Sequence, residues 1–363
     1  MSTPRSALRI AYALVCHDVV HSGVFNKISD QVNQWKDSGH TVQLFVISDQ
    51  KSTVQWKKLD PTCILLSDNT IVRKVFNRFK LISQALDSKP TVIYLRDSFP
   101  IRIPRSEIPV VIEVQTSVER ELRLRSKVLP LVFKIFKRLA YRCVIGTIFV
   151  TNELMNLNEF RFRSTTPKIV IGNGINLNRI ETLPPRDNVT PAIFFVGTPN
   201  QPWHGVSELV EFARVNPDIH IEVVGISAVA TTPNINFHGM LSSADYRKIA
   251  ARCIAGVGTL NLSAKEMREA SPLKVREYLA LGLPVILKYR DTDLDPSSAF
   301  VLQLPDDGRV LSDFSMEIRA FLDRWSDKRV SHSQIRNLDV SFKEEMRLEF
   351  FNEVVRKNDL GLV

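Results

Sequence analysis

The sequence predicts an α/β protein with two doubly wound parallel sheets, one in each half of the chain. Short apolar runs alternate with segments of helical periodicity over residues 8–171, and the alternation begins again at Ala192. Between the two series, residues 182–188 are rich in proline and polar side chains. Strands that alternate with helices form parallel βαβ units, and such a break is typical of a domain boundary.

The first half of the chain contains a clear amphipathic helix among several predicted strands. Over residues 24–35, the side chains of Ile28, Val32 and Trp35 share one helical face, as in a helix that packs on a sheet. The predicted strands are residues 8–15, 41–47, 91–95, 109–114, 146–150 and 168–171.

The second half repeats this alternation. Its predicted strands are residues 192–196, 219–224, 254–259 and 284–287, and its predicted helices are residues 205–215, 244–253, 272–281 and 341–357. We therefore predict a first domain (1–177), a linker (178–191), a second domain (192–340) and a C-terminal helical segment (341–363) that packs back on the first domain. Ligands of open α/β sheets bind beyond the carboxyl ends of the strands, so function is expected at those ends.

The charge is unevenly distributed along the chain. Residues 1–175 hold 26 Lys and Arg against 14 Asp and Glu, a net charge of +12, whereas residues 176–363 have a net charge of −3. Solubility alone does not require such a split, so the first half is expected to face an anionic partner.

Cysteine usage and hydropathy indicate the compartment. The cysteines are far apart and lack metal-ligand spacing, as expected of free thiols in a reducing compartment. There is no uninterrupted run of about 18 apolar residues and no apolar signal-peptide core near the N-terminus. We expect a cytoplasmic protein, with a peripheral position at the cytoplasmic face of a membrane as the further option.

Residues 120–142 form a basic, amphipathic segment, in which Arg120, Lys134 and Arg138 stand among apolar side chains. Such a segment can lie on an anionic bilayer, or it can be an ordinary helix with a solvated basic face. Nucleic acid is not favoured as the partner, because no nucleic-acid-binding motif is present and the second half is acidic. A dinucleotide-dependent oxidoreductase is not favoured either, because no G-x-G-x-x-G follows the first strand.

The most specific segment is residues 269–286, EASPLKVREYLALGLPVI. Ser271 is the predicted N-cap of a helix, Pro272 its first residue and Gly282 its C-cap. The free amides and positive dipole end of this helix suit a diphosphate. Glu269 before the helix and Glu277 within it are carboxylates that can accept hydrogen bonds from sugar hydroxyls.

With Gly282-Leu283-Pro284-Val285 after the helix, Glu269 and Glu277 resemble the E-x7-E segment of retaining GT-B glycosyltransferases, family four in particular. The resemblance implies two Rossmann-like domains that face each other across a cleft. It places Glu269 at the donor sugar and Glu277 at the nucleotide ribose. The residues that it assigns to the diphosphate through backbone amides are Ala270, Ser271, Pro272 and Leu273. The alternative is a capped amphipathic helix with two solvated glutamates.

Other segments either fit this family or depart from it. Gly23 opens the first helix, where the family keeps a glycine loop near donor and acceptor; an ordinary βα turn is the alternative. Asn173, between two glycines, resembles the family's segment at the domain hinge.

The clearest departure from the family follows the strand at 192–196. Many members have Gly-Arg and Lys-Gly there, and these cations neutralise the diphosphate; this chain has Gly197-Thr198 and His204-Gly205. We expect His204 to act as a weaker, pH-dependent cation or to face solvent, and Lys274 to supply the catalytic charge, with Arg268 beside it.

Acceptor-side candidates follow strands of the first half. They are His17, Arg96 and Glu113, with Asp18, His21, Asp97 and Gln115 near them. For each, a structural role is the equal alternative. Asp291 and Asp293 match the short Asp-x-Asp of metal-dependent transferases, but their position after the donor helix predicts a solvated loop. We expect no metal and no cofactor beyond the sugar-nucleotide substrate.

The resemblance thus implies a retaining hexosyltransferase that moves a sugar from a nucleotide-diphosphate donor to a hydroxyl of a polysaccharide or lipid-linked sugar. The alternative is a catalytically decayed nucleotide-sugar-binding or scaffold protein of the same fold, which Thr198 and His204 favour.

Overall fold

The computed structural model divides the chain into two compact units. Unit 1 is Met1–Gly172 with Val340–Val363, and unit 2 is Asn173–Asp339. The structure describes residues 7–17, 23–67, 71–96, 103–104, 106–124, 126–160, 166–184 and 190–361. Unit 1 thus ends before the predicted limit at residue 177, and the segment predicted as a linker falls in unit 2. Of that segment, residues 185–189 lie outside the described residues.

Unit 1 is built on a parallel sheet whose described strands have the order β3-β2-β1-β4-β5-β6-β7. The strands are β1 (Arg9–Val15), β2 (Thr41–Ser48), β3 (Cys63–Leu66), β4 (Val92–Arg96), β5 (Val110–Val114), β6 (Val144–Phe149) and β7 (Lys168–Val170). The helices are α1 (Gly23–Asp37), α2 (Thr53–Lys57), α3 (Ile71–Asp87), α4 (Val118–Arg123), α5 (Leu129–Ala140), α6 (Asn152–Asn156) and α11 (Val340–Asp359).

An aromatic cluster joins the C-terminal helix α11 to the rest of unit 1. The ring of Phe351 on α11 lies 5.1 Å from that of Tyr94 and 5.7 Å from that of Trp35, between centroids. The ring of Tyr12 on β1 is 4.9 Å from that of Tyr94. All four side chains are buried, and tilted or edge-on pairs at these distances add to the stability that burial supplies.

Unit 2 contains a second parallel sheet, with its described strands in the order β10-β9-β8-β11-β13-β15. The strands are β8 (Ala192–Val196), β9 (His220–Val224), β10 (Ile235–Phe237), β11 (Ala255–Val257), β13 (Val285–Leu287) and β15 (Val301–Gln303). A separate parallel pair consists of β12 (Glu269–Ala270) and β14 (Arg290–Asp291). The helices are α7 (Val206–Val215), α8 (Ser243–Arg252), α9 (Leu273–Ala280) and α10 (Ser315–Arg324). The prediction of two doubly wound parallel sheets is confirmed.

Glycines allow close packing where the strands of unit 2 end. Gly225 follows β9 with a φ of +84°, and a Cβ there would lie 2.2 Å from the carbonyl oxygen of Gly197. A side chain is therefore excluded both by the left-handed backbone and by the neighbouring backbone. Gly256 on β11 likewise leaves room for the ring of Tyr278 on α9. These contacts draw the loop after β8 and helix α9 close to the sheet.

Among the described residues, no helix is both long enough and apolar enough to cross a bilayer.

Candidate functional site

The start of α9 is held by a pair of hydrogen bonds to Asn173. The backbone N–H of Asn173 donates to Ser271 Oγ at 2.7 Å, and Asn173 Nδ2 donates to the carbonyl oxygen of Ser271. Ser271 was predicted to be the N-cap of the helix, but Pro272 holds that position, with an extended ψ of 138°. The prediction failed because the Ser271 hydroxyl already accepts from a distant backbone amide. Helix α9 begins at Leu273, and Leu273 and Lys274 supply its first amides.

The end of α9 follows the predicted pattern. Gly282 has a φ of +89°, and its N–H donates to the carbonyl oxygen of Leu279 at 2.9 Å. The N–H of Leu283 donates to the carbonyl oxygen of Tyr278 at 2.8 Å. This Schellman arrangement satisfies the last carbonyls and fixes the length of the helix, so the prediction that Gly282 ends it is confirmed.

Arg276 ties α9 to two other segments from within the core of unit 2. The side chain of Arg276 is fully buried, and its Nε donates to the carbonyl oxygen of Asn173 at 3.0 Å. Its two terminal nitrogens bind both carboxylate oxygens of Asp291, and one also donates to Asp293 at 2.6 Å. Burial opposes the charge, but the two carboxylates outweigh it and raise the pKa of Arg276. The guanidinium therefore joins α9 to the loop at Asp291 and to the backbone of Asn173, which itself binds Ser271 before the helix.

Asp291 and Asp293 do not form the solvated loop that was predicted. Asp291 is 3% exposed, and Arg276 occupies both of its oxygens. That prediction failed because the sequence does not show that an arginine inside α9 points at this loop. Among the described residues, no cluster of His, Cys, Asp and Glu could hold a metal ion.

Neither glutamate of the E-x7-E segment is a solvated side chain. Glu269 is 7% exposed and lies on β12, opposite Arg290 of β14. Glu277 is half-buried on α9. Burial raises the pKa of Glu277, and the Tyr246 hydroxyl and Arg179 partly offset this rise. Two shielded carboxylates, one before and one within α9, can thus accept hydrogen bonds from a polar ligand.

Lys274 lies one turn before Glu277, on the same face of α9. Its ammonium donates to the carbonyl oxygen of Val196 at 3.1 Å and lies 3.9 Å from the centre of the Phe195 ring. Burial lowers the pKa of Lys274 to about 7. The side chain therefore reaches the carboxyl end of β8, where the strand gives way to Gly197 and Thr198.

His204 is a neutral side chain in this structure. Its Nδ1 accepts a hydrogen bond from the backbone N–H of Thr198 at 3.1 Å, and the residue is 8% exposed. Burial, together with the charges of Lys274 and Lys265, lowers its pKa to about 3. The prediction of a pH-dependent cation or a solvent-facing side chain is therefore wrong. Instead, His204 holds the loop at Thr198, whose own side chain is exposed.

Gly197 and Gly205 permit this loop. A Cβ at Gly197 would lie 2.5 Å from Ile226 Cδ1, and Gly205 has a φ of +68° at the start of α7.

In unit 1, Glu113 is at the centre of a buried ion network. Its Oε1 accepts from Lys27 Nζ at 2.9 Å and from an Arg347 nitrogen at 3.1 Å, and Glu113 is fully buried. Burial raises the pKa of Glu113, but Lys27, Arg347 and Arg96 outweigh it and lower the pKa to about 2. No part of Glu113 is exposed, so of the two roles considered for it, contact with the acceptor and a structural role, this structure favours the structural one. Arg347 comes from α11, 234 residues away, so the sequence could not show this pairing.

The remaining acceptor-side candidates lie at the carboxyl ends of strands in unit 1. Arg96 ends β4 beside Glu113 and is half-buried. Its Nη1 is buried and has no hydrogen-bond partner among the described residues. His17 follows β1 and is exposed; partial burial and the charges of Arg78 and Lys74 lower its pKa. Gly23 is exposed at the first turn of α1. Asp18, His21 and Asp97 lie outside the described residues.

The fold of the chain is that of the GT-B glycosyltransferases. It is similar to a glycosyltransferase from Rickettsia africae, with a TM-score of 0.63 and 15% identity over 96% of this chain and 99% of that one. It is also similar to sucrose-phosphate synthase from Thermosynechococcus elongatus, with a TM-score of 0.67 and 12% identity over 95% of this chain and 99% of that one. A third similar structure is Anabaena HepE in complex with UDP and glucose, with a TM-score of 0.65 and 12% identity over 94% of this chain and 99% of that one.

Structural similarity at such low sequence identity shows the fold alone, so the activity has to be argued from the chemistry of the site. A UDP-GlcNAc 2-epimerase from Neisseria meningitidis shares the fold at a TM-score of 0.53 and 10% identity, over 95% of this chain and 100% of that one. No protein-family model matches the chain, and no curated protein matches it in sequence.

Proposed function

We propose that this protein is a retaining glycosyltransferase that takes a sugar from a nucleoside-diphosphate sugar held at the start of α9. One observation carries the proposal: the shielded carboxylates of Glu269 and Glu277 lie before and within this helix, and Lys274 is on the same helical face as Glu277. The GT-B fold supports it, since the similar structures include glycosyltransferases and one solved with UDP and glucose.

The donor's diphosphate would sit on the first amides of α9. The N–H groups of Leu273 and Lys274 have no acceptor within the helix, and the positive end of its dipole favours an anion. Pro272 has no N–H, so it can shape this turn but cannot donate. Ala270 and Ser271 complete the turn, and the Ser271 hydroxyl is already bound to Asn173.

The two carboxylates would then bind the sugar and the ribose. Glu277, within α9, accepts hydrogen bonds from the ribose hydroxyls, and Glu269, before it, lies against the donor sugar. Retention of the anomeric configuration follows from the family resemblance. The acceptor is a saccharide or a lipid-linked sugar, and the protein works on the cytoplasmic side of a membrane.

Lys274 would supply the positive charge that many glycosyltransferases of family four place in an arginine at the position of Thr198. Thr198 replaces that arginine, and His204 is neutral, so it can orient the loop but cannot balance the diphosphate. The ammonium of Lys274 can move from the carbonyl oxygen of Val196 to a leaving phosphate and stabilise the charge that develops there.

A catalytically decayed sugar-nucleotide-binding protein is the second candidate. Two observations favour it: the neutral state of His204 and the exposed Thr198 in place of a guanidinium. Binding of a donor without hydrolysis or transfer, over a broad panel of acceptors, would select this candidate over the enzyme.

A thermal-shift panel of nucleoside diphosphates and their sugars tests the proposal. A donor present at a hundred times its dissociation constant is expected to add about 2.7 kcal/mol to the free energy of unfolding. Nucleosides without a diphosphate serve as the control, because they lack the anion that α9 binds. A panel in which no nucleoside diphosphate raises the melting temperature would contradict the proposal.

Donor affinity is expected to fall as pH rises, because only the protonated form of Lys274 attracts the diphosphate. The free protein loses this proton near pH 7, and a bound diphosphate raises the pKa of Lys274. Between those two pKa values each pH unit should weaken binding by up to about tenfold. Calorimetric titration of the wild type and Lys274→Met measures this slope, which the substitution should remove. Equal slopes in the two proteins would rule out Lys274 as the counter-charge.

A further inference from the structure

The exposed face of α5 in unit 1 has a stripe of apolar side chains beside basic ones. Val128, Leu131 and Ile135 recur at helical spacing and are 66%, 64% and 59% exposed. On the opposite face, Phe133 and Lys137 are buried, so the helix is anchored in unit 1 by one side. The segment predicted as one basic helix, residues 120–142, consists of α4 and α5 with a break between them. Apolar side chains grouped this way usually mark a binding surface.

A basic pocket opens beside this stripe. It lies between α4, α5 and the turn after α6, with a volume of about 600 Å³. Five cationic side chains and two carboxylates line it, a net charge of +3; the cations are Arg120, Arg123, Lys134, Lys137 and Arg138. Lys137 is bound to Glu159 at 2.9 Å, and Arg123 to Glu119 at 2.8 Å. Lys134 and Arg138 are exposed on α5 itself, on the side that carries Leu131 and Ile135.

We propose that this face of unit 1 docks on an anionic lipid bilayer: the stripe Val128, Leu131 and Ile135 enters the interface, and the basic pocket receives lipid headgroups. We call this stripe, together with the exposed Lys134 and Arg138, the α5 face. The proposal gives a structural basis for the lipid-linked acceptor proposed above, but its test does not depend on glycosyl transfer.

The combination of charge and apolar surface fits a bilayer better than a protein partner. Lysine is depleted in the cores of protein interfaces, whereas at a bilayer long basic side chains keep their charge among the headgroups and bury their stems. Helix α5 has no Asp or Glu, so nothing on it repels an anionic surface. Basic residues near such a surface attract it in a way that salt screens.

Vesicle flotation with the full chain tests the proposal. We expect binding to vesicles of phosphatidylcholine mixed with phosphatidylglycerol, release at high salt and much weaker binding to phosphatidylcholine alone. Lys134→Gln with Arg138→Gln should weaken binding to the anionic vesicles about 30-fold, at roughly fivefold for each charge. Leu131→Ser with Ile135→Ser should also weaken it. Neither pair should change the thermal shift produced by a soluble nucleotide donor.

Matched controls come from exposed positions in unit 2. Arg324→Gln with Lys328→Gln removes the same charge, and Met316→Ser removes an apolar side chain that is 83% exposed. Both should bind vesicles as the wild type does. The proposal is overturned if the wild type does not bind anionic vesicles at low salt, or if the control variants lose as much binding as the α5 variants. It is also overturned if the α5 substitutions instead dissociate a dimer in light-scattering measurements.

Discussion

Arg276→Met is expected to lower the free energy of unfolding of unit 2 by about 3–5 kcal/mol, the cost of removing one partner from a buried ion pair. The substitution leaves the buried carboxylate of Asp291 without its cation and the carbonyl oxygen of Asn173 without its donor. The same contacts hold the turn that begins α9, so nucleotide binding should be lost as well. Denaturant unfolding, followed by hydrogen exchange in peptides of unit 2, measures the first effect.

Arg290→Met is the matched control for this prediction. Arg290 lies on β14, next to Asp291, but its side chain is exposed, so the substitution should change stability by less than about 0.5 kcal/mol. Arg276→Lys should recover little of the stability that Arg276→Met loses, because an ammonium cannot bind both oxygens of Asp291 in the way a guanidinium does. If Arg276→Met unfolds at the same denaturant concentration as the wild type, Arg276 does not hold the site together.

Glu277→Ala is expected to weaken donor binding by about 1.5–3 kcal/mol, roughly 10- to 150-fold, because a charged acceptor for the ribose hydroxyls is lost. Stability should hardly fall, since burial already disfavours the ionised form of this carboxylate. Loss of affinity without loss of stability separates a ligand-binding role from a structural one. Isothermal titration calorimetry and thermal unfolding measure the two quantities.

Glu317→Ala, an exposed glutamate on α10 of the same unit, controls for the change in charge. It should leave both affinity and stability as in the wild type. A nucleoside diphosphate that binds Glu277→Ala as tightly as the wild type would remove Glu277 from the site.

The fold could be predicted because its signals are local. Strand β8 is a continuous apolar run, and so is β1 from Ile10 onward, while Gly282 ends α9 through its own backbone. Neighbouring residues therefore suffice to predict these features. Strand β3 and helix α3 were not predicted. The β3 segment has only four residues, too few to show a period. The α3 segment does have apolar side chains at helical spacing, among them Val75, Phe79 and Ile82, but this signal was not used to place a helix.

The site could be predicted only in part, because several of its side chains take distant partners. Ser271 has the residue type of an N-cap, but its hydroxyl accepts from Asn173, 98 positions away. His204 suggested a cation by its type, whereas burial makes it neutral. Asp291 was assigned to solvent because the position of the Arg276 side chain depends on how α9 packs. Charge state and pairing follow from tertiary structure, which sequence spacing does not contain.

A crystal structure of the full chain with a nucleoside diphosphate tests the central claim most directly. The account predicts that the two phosphates accept hydrogen bonds from the amides of Leu273 and Lys274, with the ribose hydroxyls on the carboxylate of Glu277. A nucleotide bound elsewhere on the chain, with the first turn of α9 left to solvent, would contradict it.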